Sequence, residues 1–229
     1  MICQNIAQVK ERIAQAAKKA GRAPEDIQLV AVSKRLPAET VLQAIACGQQ
    51  QFGENYIQEV QEKKELIGDK ARFHFIGNLQ SNKAKMAATY CSMVETVDRL
   101  KIAKALNKHS LELDKTLDIL VQVNIGQDQN KSGTDKAEAA ELIRQINKLP
   151  ALRIRGLMTI PPLHKEPEDS RPHFRNLRTL AEKLVSENIL QCDGRVELSM
   201  GMSSDYHIAI EEGATIVRVG TAIFGTRVN

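Results

Sequence analysis

Ile27-Gln28-Leu29-Val30-Ala31-Val32-Ser33-Lys34 is the stretch on which the fold of this 229-residue chain turns. An apolar run of this length, closed by a lysine and followed by Pro37, reads as a buried strand with an amine at its C-terminal tip. A (β/α) barrel keeps a reactive amine at such a tip, where the stem is enclosed and the ammonium is poorly solvated. Desolvation lowers a lysine pKa, and only the neutral amine attacks an aldehyde. A strand-end lysine reaching into water is the ordinary alternative, so the rest of the chain decides between them.

Upstream, Ile6, Val9, Ile13, Ala16, Ala17 and Ala20 fall on one helical face, and Gly21 with Pro24 ends that helix. Downstream the pattern alternates. Strand-like runs at 27–33, 71–76, 92–97, 117–125, 152–160, 194–199 and 215–219, with a weaker one at 50–53, are separated by helical stretches. Those stretches are 38–47, 54–66, 81–89, 99–109, 134–148, 170–188 and 204–212. About eight strands, each but the last followed by a helix, predict an α/β fold: a single (β/α)8 TIM barrel occupying residues 1–229. Only residues 222–229 follow the last strand, too few for a covering helix. The N-terminal helix is therefore expected to complete the outer ring. A doubly wound open sheet is the competing architecture, but no GxGxxG follows the first strand.

Composition narrows the function. A net charge of +4 with no polybasic block argues against a nucleic-acid partner, and 3% aromatics leave little for base stacking. No apolar run is long enough to span a bilayer, and the N-terminus has no leader pattern, so no membrane role is expected. Cys3, Cys47, Cys91 and Cys192 are scattered without CxxC or metal-ligand spacing. They fit free thiols in a reducing, cytoplasmic compartment better than a disulfide framework.

Barrel chemistry sits at the C-terminal strand ends, often with a phosphate held after strands seven and eight. After the seventh predicted strand comes Leu198-Ser199-Met200-Gly201-Met202-Ser203-Ser204-Asp205, entering a helix; after the eighth comes Gly220-Thr221. Glycine permits close backbone approach, hydroxyls donate, and helix-start amides face an anion. Ser203-Ser204-Asp205 also reads as a plain helix cap, a compatible use of the same groups. Arg218 stands inside the apolar strand 215–219, so it must be paired or face a polar ligand. Glu197 and Glu95 are the competing salt-bridge partners.

VAVSK at 30–34, FGENY at 52–56, HFIGNLQSNK at 74–83, NKSG at 130–133, GLMTI at 156–160, LSMGMSSD at 198–205 and VRVGTAIFG at 217–225 resemble the pyridoxal-phosphate homeostasis protein family. The match runs through most of the chain in the family's order. The resemblance implies a fold-type III barrel, similar to the N-terminal domain of alanine racemase, that binds pyridoxal 5′-phosphate. It implies that Lys34 forms the Schiff base and that Ser199, Gly201, Ser203, Gly220 and Thr221 hold the phosphate. Arg218 is implied to face the pyridine nitrogen, with Asn55 and His74 near the cofactor.

An arginine there has only donors, so the ring nitrogen must accept and stay unprotonated, which makes the ring a weak electron sink. The expected role is a non-catalytic one: holding, buffering or delivering the cofactor to apo-enzymes. The alternative is an amino-acid racemase-like catalyst or a Schiff-base lyase or aldolase. A racemase needs a second acid–base group from its partner subunit's extra domain, and the sequence stops after the barrel, so a monomer without turnover is expected. Lys83, Lys85 and Lys131 read as solvated lysines, with Lys131 the minority candidate for a second aldehyde-capturing amine.

Overall fold

The computed structural model describes residues 1–126, 132–162, 166–192 and 194–226. Its strands are β1 (Gln28–Val32), β2 (Gln51–Glu54), β3 (Arg72–Phe75), β4 (Met93–Val97), β5 (Leu117–Asn124), β6 (Thr134–Asp135), β7 (Leu152–Met158), β8 (Glu197–Ser199) and β9 (Ile216–Val219). All pairings are parallel in the order β4-β3-β2-β1-β9-β8-β7-β5, and a β4–β5 pairing closes the sheet into an eight-stranded barrel. The two-residue β6 only extends the end of β5, through Val123↔Thr134. The seventh and eighth barrel strands are therefore β8 and β9.

The outer layer consists of α1 (Ile2–Lys19), α2 (Ala38–Ala46), α3 (Ile57–Ile67), α4 (Ala84–Tyr90), α5 (Leu100–Glu112), α6 (Ala139–Ile146), α7 (Arg171–Ser186), α8 (Tyr206–Glu211) and the single-turn α9 (Thr221–Phe224). The helix expected over 134–148 starts only at Ala139, because Thr134 and Asp135 are drawn into pairing with β5.

Strands wrapped by helices bury both faces, which is why they read as unbroken apolar runs. Leu29 and Ala31 face the helices and join the large outer core, whereas Val30 joins Met93, Leu120, Met158 and Ile216 inside the barrel. Each Val, Leu, Ile or Met among them contributes about 1.5–3 kcal/mol by leaving water.

The apolar stripe of α1, with Ile6, Val9 and Ile13 at 2–4% exposure, packs among α2, α8 and α9. Asn5 Nδ2 donates to the Ile223 carbonyl at 2.8 Å, and Lys19 pairs with Glu211 at 2.7 Å. Arg22 Nη1 donates to the carbonyls of Ile210 and Ala214 at 3.1 and 2.7 Å. The N-terminal helix thus occupies the outer-ring place beside the short C-terminal turn.

The cysteines depart from expectation. Cys3 of α1 and Cys47, just past α2, form a disulfide with their Cα atoms 5.2 Å apart. Docking α1 beside α2 juxtaposes two residues 44 positions apart, which spacing alone does not reveal. Cys91 is a buried thiol, and the Cys192 thiol donates to the Ile154 carbonyl at 3.4 Å. Among the described residues, no helix is long and apolar enough to cross a membrane.

Candidate functional site

A cavity of about 410 Å³ opens at the C-terminal face of the barrel, bordered by Lys34, Asn55, Ser203, Arg218, Gly220 and Thr221. Val32, Ile76 and Ile160 form its apolar wall. The amine, the guanidinium and both hydroxyl clusters anticipated at the strand tips line this one space.

Lys34 leaves β1 in a tight turn in which Leu36 N–H donates to the Ser33 carbonyl at 3.1 Å. Arg35 takes the left-handed conformation at φ +59°, costing a non-glycine residue on the order of 1 kcal/mol. A buried polar clamp holds that turn. Lys63 Nζ donates to the Ser33 carbonyl at 2.8 Å, to Glu54 Oε1 at 2.6 Å and to Glu59 Oε2 at 3.1 Å. Ser33 Oγ donates to Glu54 Oε1 at 2.6 Å, and Arg35 N–H donates to Glu59 Oε2 at 2.6 Å. Burial pushes the Glu54 carboxyl up to about 7, against the opposing pull of Lys63 and Ser33. Neither Glu54 nor Lys63 was singled out from sequence. An acid ending a strand and a lysine on an amphipathic helix carry no local sign that they are buried together.

Asn55 follows β2 and is packed by Gly77, where an added Cβ would lie 2.1 Å from the Asn55 carbonyl oxygen. The two phosphate-type clusters touch, since Gly220 N–H donates to Ser203 Oγ at 3.2 Å. Asp205 Oδ1 accepts from Met202 N–H at 2.7 Å and fixes the loop between β8 and α8. Gly201 supports the same loop at φ +92°, where a Cβ would stand 2.6 Å from that of Ala209.

Arg218 is 3% exposed, borders the cavity and is bonded within the barrel. Its Nη2 donates to the Thr159 carbonyl at 2.9 Å, its Nη1 donates to Ser199 Oγ, and Nη1 lies 3.8 Å from Glu95 Oε2. Glu197, the other proposed partner, instead accepts from Thr215 Oγ1 and Arg195. Burial lowers the Arg218 pKa, with Glu95 and Asp205 opposing.

Three expected residues lie elsewhere. Ser199 is fully buried beneath Arg218, its hydroxyl donating to Glu95 Oε2 at 2.5 Å, so it contacts the guanidinium where a phosphate role was expected. His74 lines a different cavity, of about 290 Å³, with the strand-start residues Gln28, Gln51 and Arg72. Gly201 shapes the loop without bordering the space. Lys83 borders a third cavity, of about 470 Å³, that shares Asn55. Lys85 is exposed, and Lys131 lies outside the described residues.

An amine, a fixed cation and a hydroxyl–amide cradle around one half-apolar space suit a small phosphorylated carbonyl compound. Residues 4–228 match the family model described as alanine racemase, N-terminal domain, which is the class that the barrel and its strand-tip amine define. A pyridoxal phosphate homeostasis protein of Vibrio alginolyticus is 44% identical, over 99% of this chain and 97% of its own. One from Aquifex aeolicus is 39% identical over 98% of both. The structure of PipY from Synechococcus elongatus with PLP bound is 34% identical, with a TM-score of 0.85, covering 98% of this chain and 100% of that one. The chain belongs to the pyridoxal phosphate homeostasis protein family.

Proposed function

We propose that this protein binds pyridoxal 5′-phosphate as a Schiff base on Lys34 and serves intracellular homeostasis of the cofactor, passing it to apo-enzymes without catalytic turnover. The carrying observation is that Lys34, Arg218 and the joined Ser203–Gly220 cradle border one cavity of about 410 Å³, within the size range of small-ligand sites. The residues fit the group. Ser203, Ser204, Gly220 and Thr221 supply hydroxyl and amide donors for a phosphate, and Val32, Ile76 and Ile160 supply an apolar wall for a ring.

The chemistry the cofactor supplies is an aldehyde that condenses with an amine, losing water. Arg218 donates only and keeps its charge, so it favours an unprotonated ring nitrogen and leaves the ring a weak electron sink. Relatives matched end to end are named for homeostasis, in keeping with retention and exchange. The working form is a monomer, with α1 covering the ring beside α8 and α9.

Borohydride reduction of the loaded protein followed by peptide mapping tests the linkage. The reduced adduct is expected on Lys34, and a main adduct on Lys83, Lys131 or any other amine overturns the assignment. Turnover of amino acids or phosphorylated sugars above the apo background overturns the non-catalytic reading. A stable dimer in sedimentation at low micromolar concentration overturns the monomer.

A further inference from the structure

Below the cavity the barrel interior holds a polar chain that the proposed binding role does not by itself require. His74 of β3, Glu95 of β4, Ser199 of β8 and Arg218 of β9 are each at most 3% exposed. His74 Nδ1 lies 2.6 Å from Glu95 Oε1, Ser199 Oγ donates to Glu95 Oε2 at 2.5 Å, and Arg218 Nη1 donates to Ser199 Oγ. The chain crosses the lumen from the lower cavity, which His74 borders, to the upper one, which Arg218 borders.

Donors and acceptors along it are matched in one direction. An ionised carboxylate only accepts, and each Glu95 oxygen receives one hydrogen, from His74 and from Ser199. The Ser199 hydroxyl spends its single proton on Glu95 and is left as an acceptor for Arg218. Burial alone would raise the Glu95 carboxyl, yet His74, Arg218 and Ser199 outweigh it and hold the group below its usual range. Among the described residues, the other charged groups nearby are Lys34, which shares the upper cavity with Arg218, Asp205 beside Arg218, and Arg72, Asp118, Arg155 and Glu197 around the lower cavity. A buried ion pair of this kind gives little net stability over apolar packing, so stability is a weak reason for its presence.

We infer that Glu95, oriented by His74, is a positioning residue that fixes the place and compensates the charge of Arg218 and thereby sets how the cofactor ring is held. This rests on the proposed placement of Arg218 against the pyridine nitrogen. Glu95 touches no ligand and acts through the arginine. Without its charge the guanidinium faces the bound cofactor uncompensated, which disfavours the protonated Schiff base.

The test is a pH titration of the visible absorbance of the loaded protein, for wild type and for Glu95→Gln, His74→Leu, His74→Asn and Glu197→Gln. Glu95→Gln is expected to lower the midpoint by about one pH unit and to weaken pyridoxal 5′-phosphate binding by about tenfold. His74→Leu removes the donor to Glu95 and is expected to move the midpoint in the same direction. His74→Asn places an amide donor near the position of Nδ1 and is expected to restore it. Glu197→Gln is an interior control outside the chain and is expected to leave the midpoint in place.

Midpoints for Glu95→Gln and His74→Leu within about 0.2 unit of wild type overturn the inference while leaving the binding reading intact. An equal shift in Glu197→Gln overturns it too, by reducing the effect to general interior charge. If Glu95→Gln does not fold, the comparison of His74→Leu with His74→Asn decides. A wild type without the bound absorbance refutes the binding reading itself, and the inference falls with it.

Discussion

Lys63 Nζ donates to the Ser33 carbonyl at 2.8 Å, so a helical lysine outside the barrel grips the residue immediately before the strand-tip amine. The same ammonium holds Glu54 and Glu59, and through Glu59 the Arg35 amide. Lys34 is thereby carried on a turn braced on both sides.

Removing Lys63 leaves Glu54 buried without its cation. Lys63→Met is expected to cost about 3–5 kcal/mol, the usual penalty for breaking a buried pair, and Lys63→Met with Glu54→Gln should recover a large part of it. Chemical denaturation of the apo forms checks this. Equal losses in the single and double variants would show that the pair is uncoupled.

Glu54 also carries a signed pH dependence. Its folded value of about 7 stands above the 4.5 of an ordinary carboxyl, so the folded protein binds more protons between those values. That contribution to stability is complete below pH 4.5 and is lost as pH rises through 7. Glu54→Gln, which cannot titrate, should flatten the thermal midpoint across this window. A slope equal to that of wild type would assign the dependence to other groups.

Lys34→Ala should abolish the Schiff-base absorbance and borohydride trapping while the apo barrel stays within about 1 kcal/mol of wild type, since the change opens no core cavity. The Ser203, Gly220 and Thr221 donors remain, leaving weak non-covalent binding. Absorbance and calorimetric titration distinguish the two effects, and full trapping in the variant would sink the assignment.

Arg218→Glu would set a second carboxylate against Glu95, now 3.8 Å from the guanidinium. Loss of about 3–5 kcal/mol is expected, with cofactor binding lost along with the fold rather than any gain in transamination or racemisation. Melting of the apo variant is the measurement. A stable, cofactor-binding variant with new turnover would mean that Glu95 bears little on this position.

Gly201→Ala forces a Cβ to within 2.6 Å of the Ala209 Cβ and 2.9 Å of the Tyr206 Cα, at φ +92°. A loss of about 1–3 kcal/mol is expected, together with weaker phosphate affinity as the Ser203 loop shifts. Wild-type affinity for inorganic phosphate in a folded variant would detach this loop from the anion.

What the sequence made legible is local. Apolar runs between turn residues marked the strands, and Lys34, Ser203 and Gly220-Thr221 were readable because each lies within a few residues after a strand. Ser199 lies below the cavity because side chains alternate along a strand: Glu197 and Ser199 face the lumen, and at this strand only residues beyond its end, Met202 to Ser204, border the space. The Glu54–Lys63 clamp, the Glu95 chain and the Cys3–Cys47 link join residues 9, 104 and 44 positions apart for Lys63–Glu54, Ser199–Glu95 and Cys3–Cys47. Spacing in one sequence carries no sign of such pairings.

The bond from Asn5 to the Ile223 carbonyl spans 218 positions and gives the seating of α1 a temporal meaning. During synthesis the helix carrying Ile6, Val9 and Ile13 emerges first, yet α8 and α9, which cover that stripe, emerge last. Beyond its contact with α2, its apolar face therefore waits for nearly the whole polypeptide, and ring closure is a late, long-range event of the slow kind that nonlocal contacts impose. Nascent chains halted before residue 206 would hold this helix through α2 and the Cys3–Cys47 link alone, leaving the part of its stripe that α8 and α9 cover open to proteases and chaperones while the barrel is being made.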